Sequence, residues 1–212
     1  MWRSTKVHVS PGFFAMLVFS LLCGAGEVLP HVLIAALCHE LGHLAVLRLY
    51  RVPVEAITVT SMGAVIAAPG QERLSYGQEL LAALAGVLVN FTLALLFARL
   101  SRDYLFAGAN VILGVYNLLP LQGLDGGRAL YLMAAWLREP FAAARLVRLV
   151  NLVAMALLIG LSMMLLYRTG SGLFCLIAVL GMGFSQIIGQ LKKRRGRKEN
   201  GVAKRGKIRY NT

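Results

Sequence analysis

The stretch ALCHELGHLAVL, residues 36–47, sets two imidazoles and a carboxylate inside a run apolar enough to cross a membrane. His39, Glu40 and His43 read H-E-x-x-H. Residues four apart share one face of a helix. Two imidazoles so placed can hold one zinc ion, and the intervening Glu40 is close enough to serve as a general base on water. The plainer alternative is that each histidine hydrogen-bonds to a neighbouring helix. Energetics separate the two. An ionisable group at membrane depth costs ~2.5–3.5 kcal/mol on insertion scales, so a cluster of three needs a compensating partner. A divalent cation provides one.

Two histidines leave zinc short of the usual three protein ligands of a catalytic site. Glu27, Glu55, Glu72, Glu79, Asp103 and Glu139 fall at segment boundaries or in loops. Asp125 differs, because it lies in YNLLPLQGLDGGRAL, residues 116–130, where a proline and three glycines should break a helix. A broken segment inside a bundle is tolerated where it lines a cavity, and the break lets a carboxylate reach inward. Asp125 could also simply cap a helix starting near Gly127. In a chain that carries H-E-x-x-H, ligation is the better reading.

The elements that must position these groups are apolar. Of the 212 residues 58% are hydrophobic and only 15% charged, and mean hydropathy is +0.70. Soluble domains carry about a quarter charged residues, so the balance fits a polytopic membrane protein. A spanning helix needs about 20 mostly apolar residues. Six candidates appear, at 12–28, 31–49, 79–98, 104–121, 149–167 and 172–191. The first, preceded by Arg3 and Lys6 and followed by CGAGE, also has a rival reading as a signal peptide, which would leave five spans. With six spans and a cytoplasmic N-terminus, all of the 22 Lys and Arg except Arg99, Arg102 and Arg168 fall on the inner side, a strong positive-inside bias. In that topology His43 lies roughly 6–12 Å from the inner end of its span, at 1.5 Å per residue. The fourth span ends on the same side, just before Asp125.

Residues 54–70, VEAITVTSMGAVIAAPG, look like a short hairpin on the cytoplasmic side of the bundle, whose edge could pair with an extended peptide. A plain interfacial loop fits the composition equally well. The expected fold is therefore an all-α polytopic membrane protein. It has six transmembrane helices, a short β-hairpin-like element between the second and third, and a broken segment after the fourth. Residues 1–191 form the membrane domain and 192–212 a basic, disordered cytoplasmic tail. Ten of the Lys and Arg lie in that tail. Its expected partner is anionic lipid, at about 1 kcal/mol per charge near the surface. No nucleic-acid-binding fold accompanies it, and no nucleic-acid partner is expected. Cys23, Cys38 and Cys175 form neither a disulfide framework nor a zinc ribbon.

These residues together resemble the site-two protease family of intramembrane zinc metalloproteases. The family's H-E-x-x-H matches His39, Glu40 and His43, and its N-x-x-P-x-x-x-L-D-G matches Asn117, Pro120, Leu124, Asp125 and Gly126. The compact set of spans looks most like the sporulation stage-IV F B branch. The resemblance implies one zinc ion per chain on His39, His43 and Asp125, with Glu40 as the base. It also implies hydrolysis of membrane-anchored protein substrates near the cytoplasmic face. Asn117 and Gly63 are the residues expected to touch substrate. Placement in a bacterial cell membrane follows, with both termini cytoplasmic and a membrane regulator or homo-oligomer as a further partner. Two departures touch packing detail: SMGAV has Gly63 then Ala64 where the family often has two glycines. In addition, LAGVLVN keeps Gly86 and Asn90 but has Val87 where proline is usual. The rivals are a non-proteolytic membrane scaffold or metal-binding protein, which the presence of Glu40 disfavours, and a metal transporter. No internal repeat or ladder of ionisable residues supports the transporter.

Overall fold

A computed structural model describes residues 5–61, 63–169, 180–181 and 183. In chain order the elements are β1 (Lys6–Val9), α1 (Pro11–Leu22), α2 (Leu29–Leu49), β2 (Ala56–Thr60), β3 (Gly63–Ala67), α3 (Tyr76–Leu96), α4 (Tyr104–Leu118), α5 (Asp125–Leu137) and α6 (Pro140–Thr169). A 3-10 turn at Gln71–Arg73 precedes α3, and a π turn at Phe97–Ser101 ends it. The chain divides into two compact units. Of the described residues, the first takes those of 1–120 and 124–147, and the second 121–123 and those from 148 onward.

Three described helices are long and apolar enough to cross a membrane: Leu29–Leu49, Tyr76–Ser101 and Pro140–Arg168, with mean hydropathy 1.6, 2.4 and 2.5. They correspond to the second, third and fifth expected spans. The first and fourth are shorter apolar helices, α1 and α4, of 12 and 15 residues. At 1.5 Å per residue these extend about 18 and 22 Å, against a hydrocarbon core of about 30 Å. α1 stops before Gly24, which sits at φ +79°. α4 stops at Leu118 because Leu119 precedes Pro120 and takes an extended ψ of 139°. Of the sixth expected span, 172–191, only residues 180–181 and 183 are described, and the basic tail lies outside the described residues. α6 begins well before the expected residue 149, at Pro140 in the first helical turn, where proline's missing N–H costs nothing.

The helix boundaries have local causes. Ser75 and Gln78 form a reciprocal capping box at the start of α3, with Gln78 N–H donating to Ser75 Oγ and Ser75 N–H to Gln78 Oε1. Asp103 caps α4 by accepting from Phe106 N–H at 3.0 Å. Ser75→Ala is expected to cost about 1 kcal/mol, read as an earlier thermal unfolding transition of the purified protein; an unchanged transition would deny the cap that role.

In the first unit α2, α3 and α4 pack around Ala35, Phe106 and Ala109, with Leu93, Phe97 and Leu113 against them. Small residues set the spacing. A Cβ on Gly42 of α2 would fall 2.9 Å from the Ala85 carbonyl oxygen of α3, the close backbone approach that glycine permits between membrane helices.

The expected hairpin is present as β2–β3, antiparallel with Thr60 opposite Gly63. The fold is not purely helical, because β1 adds to β2 in parallel and makes a three-stranded sheet in the order β1-β2-β3. The reason β1 escapes the sequence pattern is its length: KVHV alternates polar and apolar residues, but over only four positions, all of them exposed. Behind the hairpin, Ile66 and Val54 pack with Leu47 and Ala82. The sheet therefore lies at the end of α2 where Leu47 and Val52 are buried, the end to which His43 is nearer. In the second unit, Asn151 of α6 accepts from Gln122 N–H at 2.7 Å, which gives a backbone group of the interrupted segment a protein partner.

Candidate metal centre

α2 supplies three of the chemically competent side chains. His39 and His43 lie one helical turn apart, with ring centroids 4.7 Å apart and ring planes at 77°. Their Nε2 atoms are 3.1 Å from each other. Asp125, 82 residues beyond His43, closes a triangle: its Oδ2 is 3.0 Å from His39 Nε2 and 3.2 Å from His43 Nε2. Among the described residues this is the group of His, Cys, Asp and Glu side chains that could hold a metal ion.

The outer contacts of the rings fix what the inner atoms can do. His39 Nδ1 lies 2.5 Å from Asn90 Oδ1, and His43 Nδ1 lies 2.7 Å from the Ala82 carbonyl oxygen. Both partners are acceptors, so each Nδ1 carries the hydrogen, and each Nε2 turns a lone pair toward the triangle. A second proton on one ring would fill one edge. A cation would face all three donors at once. The size also fits. Zinc holds nitrogen and oxygen ligands at about 2.0–2.2 Å, which in a tetrahedron puts the donors about 3.3 Å apart, close to the 3.0–3.2 Å observed. Burial alone would raise the Asp125 carboxyl. The two imidazoles against it outweigh burial and hold its pKa below the ordinary carboxylate value, so it stands as an anion at neutral pH.

Asp125 is the first residue of α5, whose start makes no side-chain capping hydrogen bond. Its carboxylate goes to the histidines, so the plain capping role is not the one adopted. Two features deliver it. Gly123 takes φ +101° in the turn before α5, and Gly126 allows the first turn of α5 to rest on the end of α4. A Cβ at Gly126 would lie 2.1 Å from the Leu118 carbonyl oxygen. Arg128, one turn on, pairs with Glu79 of α3 at 2.7 Å.

The other expected site residues fall as follows. Glu40 Oε1 accepts from Ala64 N–H of β3 at 3.2 Å, which brings the sheet's edge to the carboxylate. Gly63, one residue earlier, takes φ +117°, a conformation that other residues rarely adopt. Asn117 Nδ2 donates to Leu113 O of its own helix at 3.1 Å. Two further residues belong to the site. Gly86 of α3 lies directly behind the triangle, where a Cβ would fall 2.5 Å from His43 Nε2 and 2.6 Å from His39 Nε2. Asn110 of α4, which no motif singled out, accepts from Asn90 Nδ2 at 2.9 Å. The signal that could have found it is general: a fully buried amide in an apolar helix requires partners.

Fold and site together define a class: a mostly helical protein with membrane-length apolar helices, built around an H-E-x-x-H and a distant aspartate that could hold a metal ion. A sequence model of Peptidase family M50 matches residues 101–161, which include α4, the interruption, Asp125 and α5. The chain is 33% identical over 176 residues to Rip3 of Mycobacterium tuberculosis, which carries a zinc-metalloprotease name. That alignment covers 73% of this chain and 43% of Rip3. It is 28% identical over 163 residues to stage IV sporulation protein FB of Bacillus subtilis, covering 73% and 56%. The chain thus spans about half the length of these curated relatives. A solved site-2 protease from Methanocaldococcus jannaschii shares the fold, with a TM-score of 0.62 over 87% of this chain and 90% of that one at 22% identity. The family match, the named relatives and the shared fold together support the site-two protease family, whose relatives here carry zinc-metalloprotease and sporulation-protein names.

Proposed function

We propose that this chain is an intramembrane zinc metalloprotease that hydrolyses peptide bonds of membrane-anchored proteins near the cytoplasmic face. The observation that carries this reading is the meeting of His39, His43 and Asp125 donors within 4.8 Å, with Glu40 beside them on α2. His39 Nε2, His43 Nε2 and an Asp125 oxygen would hold one zinc ion. Zinc in such a set makes water acidic near neutral pH and offers positive charge to a carbonyl oxygen.

The chain's own residues supply the rest. Glu40 takes the proton of the attacking water and returns it to the leaving amine. Asn117 hydrogen-bonds the substrate backbone. A membrane helix must unwind before cleavage, because its carbonyls are already hydrogen-bonded, and the hairpin holds the unwound stretch by strand addition. The alternation of β3 supports this role. Ala67 C=O accepts from Glu55 N–H on the inner side, whereas Ala64 N–H points to Glu40. The outer edge of β3, with Gly63 at its start, therefore runs past the base. The basic tail meets anionic lipid, and a membrane regulator or a second copy of the chain controls entry. Both termini are cytoplasmic.

The test uses the full chain in a bilayer with a membrane-tethered substrate. The purified protein is expected to carry about one zinc per chain, to lose cleavage when a chelator strips it, and to regain it on zinc addition. Asp125→Ala is expected to lower the zinc content. Cleavage that persists in metal-free protein, or full zinc content in Asp125→Ala, would end the reading.

A further inference from the structure

Two asparagine side chains in the membrane bundle, Asn90 of α3 and Asn110 of α4, are both 0% exposed. An unpartnered amide at such a place would be costly, but these two are partnered in one direction only. Asn110 Nδ2 donates to the Phe106 carbonyl oxygen at 2.9 Å. That leaves Asn110 Oδ1 to accept from Asn90 Nδ2 at 2.9 Å. Asn90 Nδ2 also donates to the Ala35 carbonyl oxygen at 3.3 Å. Both hydrogens of the Asn90 amide are thereby committed, and its Oδ1 is the end turned to His39 Nδ1. The chain runs from one backbone carbonyl on α4, through α3, to a ring on α2.

The sense of this chain matters because an amide has two ends of opposite character. With Asn90 reversed, two N–H groups would face His39 Nδ1. The ring hydrogen would then have to sit on Nε2, the atom that lies 3.1 Å from His43 Nε2 and 3.0 Å from Asp125. A ring in that tautomer has no lone pair to offer there. Reversing Asn90 would also set its Oδ1 against the Ala35 carbonyl and Asn110 Oδ1, three acceptors meeting where Asn90 and Asn110 are fully buried.

We infer that Asn110 is a positioning residue of the metal centre. It touches neither the triangle nor any group that could reach substrate there. With the more distant Ala35 carbonyl, it sets which end of Asn90 faces His39, and so which nitrogen of His39 is free to bind. The inference rests on the zinc reading above. Partners once removed from a ligating histidine typically govern 10–100-fold in metal affinity, and Asn110 acts one step further out.

The experiment is a metal titration of the full-length purified protein, with zinc affinity read by chelator competition and coordination read from the visible absorption of the cobalt(II)-loaded form. Asn110→Leu removes the acceptor and is expected to weaken zinc binding about ten-fold and to change the cobalt bands. Asn110→Ala, which introduces no clash, carries the same expectation should the leucine variant not fold. Asn110→Asp is the conservative rescue. Held neutral by burial, it presents a carbonyl oxygen to Asn90 and an O–H to Phe106 O, and is expected to keep the parent spectrum and affinity. A purely structural asparagine could lower thermal stability, but it would not move the cobalt bands of protein that remains folded. Parent-like cobalt bands and zinc affinity in the folded Leu or Ala variant would overturn the inference, as would an Asp variant as weak as these. Parent protein that takes up neither zinc nor cobalt would end the zinc reading and this inference with it.

Discussion

Glu40→Gln is expected to lose cleavage of a membrane-tethered substrate by about 10²–10⁴-fold, the usual contribution of a positioned general base, while retaining the parent's zinc content. The two halves of this expectation belong together. Glu40 is not one of the three donors that meet within 4.8 Å, so its replacement leaves the proposed ligand set intact. Glutamine matches glutamate in size and keeps an oxygen able to accept from Ala64 N–H, the contact that ties β3 to α2 at 3.2 Å. What it lacks is the capacity to take a proton. Zinc content by elemental analysis and cleavage rate on the same preparation make the measurement. Equal rates in the two proteins would remove Glu40 as the base. Loss of zinc along with activity would instead make Glu40 part of the metal's support.

Gly86→Ala is expected to be nearly as damaging, although it adds a single methyl group. The added carbon would sit 2.5 Å from His43 Nε2, 2.6 Å from His39 Nε2 and 2.7 Å from His39 Cε1, inside van der Waals contact with both rings. The rings have little room to retreat, because each is anchored at Nδ1, His39 on Asn90 and His43 on the Ala82 carbonyl. Either those hydrogen bonds break or α3 moves away from α2, and Gly42 already sets that spacing against Ala85. A displacement near 1 Å of the groups that carry chemistry costs on the order of 10²-fold in rate, and zinc affinity should fall with it. Gly108→Ala is the control, since nothing lies within 4 Å of a Cβ built there; its zinc content and rate should match the parent. A Gly86→Ala protein with normal zinc binding would mean that the triangle is looser than its hydrogen bonds indicate.

By itself the sequence determined whatever depends on neighbours along the chain. H-E-x-x-H puts two imidazoles and a carboxylate on one stretch of helix because the helical repeat does so wherever a helix forms. Pro120, Gly123, Gly126 and Gly127 interrupt the apolar run around Asp125 because proline and glycine act locally on backbone torsions. The β2–β3 hairpin was one of two readings that the β-branched residues around Gly63 allow, beside a plain interfacial loop, and tertiary packing decided between them. The tertiary structure decided what depends on residues far apart. That Asp125 meets His43 across 82 positions, and His39 with it, follows from the packing of α5 on the end of α4, where glycine leaves space for a carbonyl. The extra strand β1 exists because β2 offers it an edge, not because four exposed residues prefer to extend. α1 and α4 are shorter than their expected spans because hydropathy counts apolar residues but not the backbone stop that ends a helix, and α6 is longer because Pro140 opens it before the apolar run. Asn110 carries no motif, and its place in the site arises from hydrogen bonds between three helices, which an amide excluded from water must find in the folded bundle.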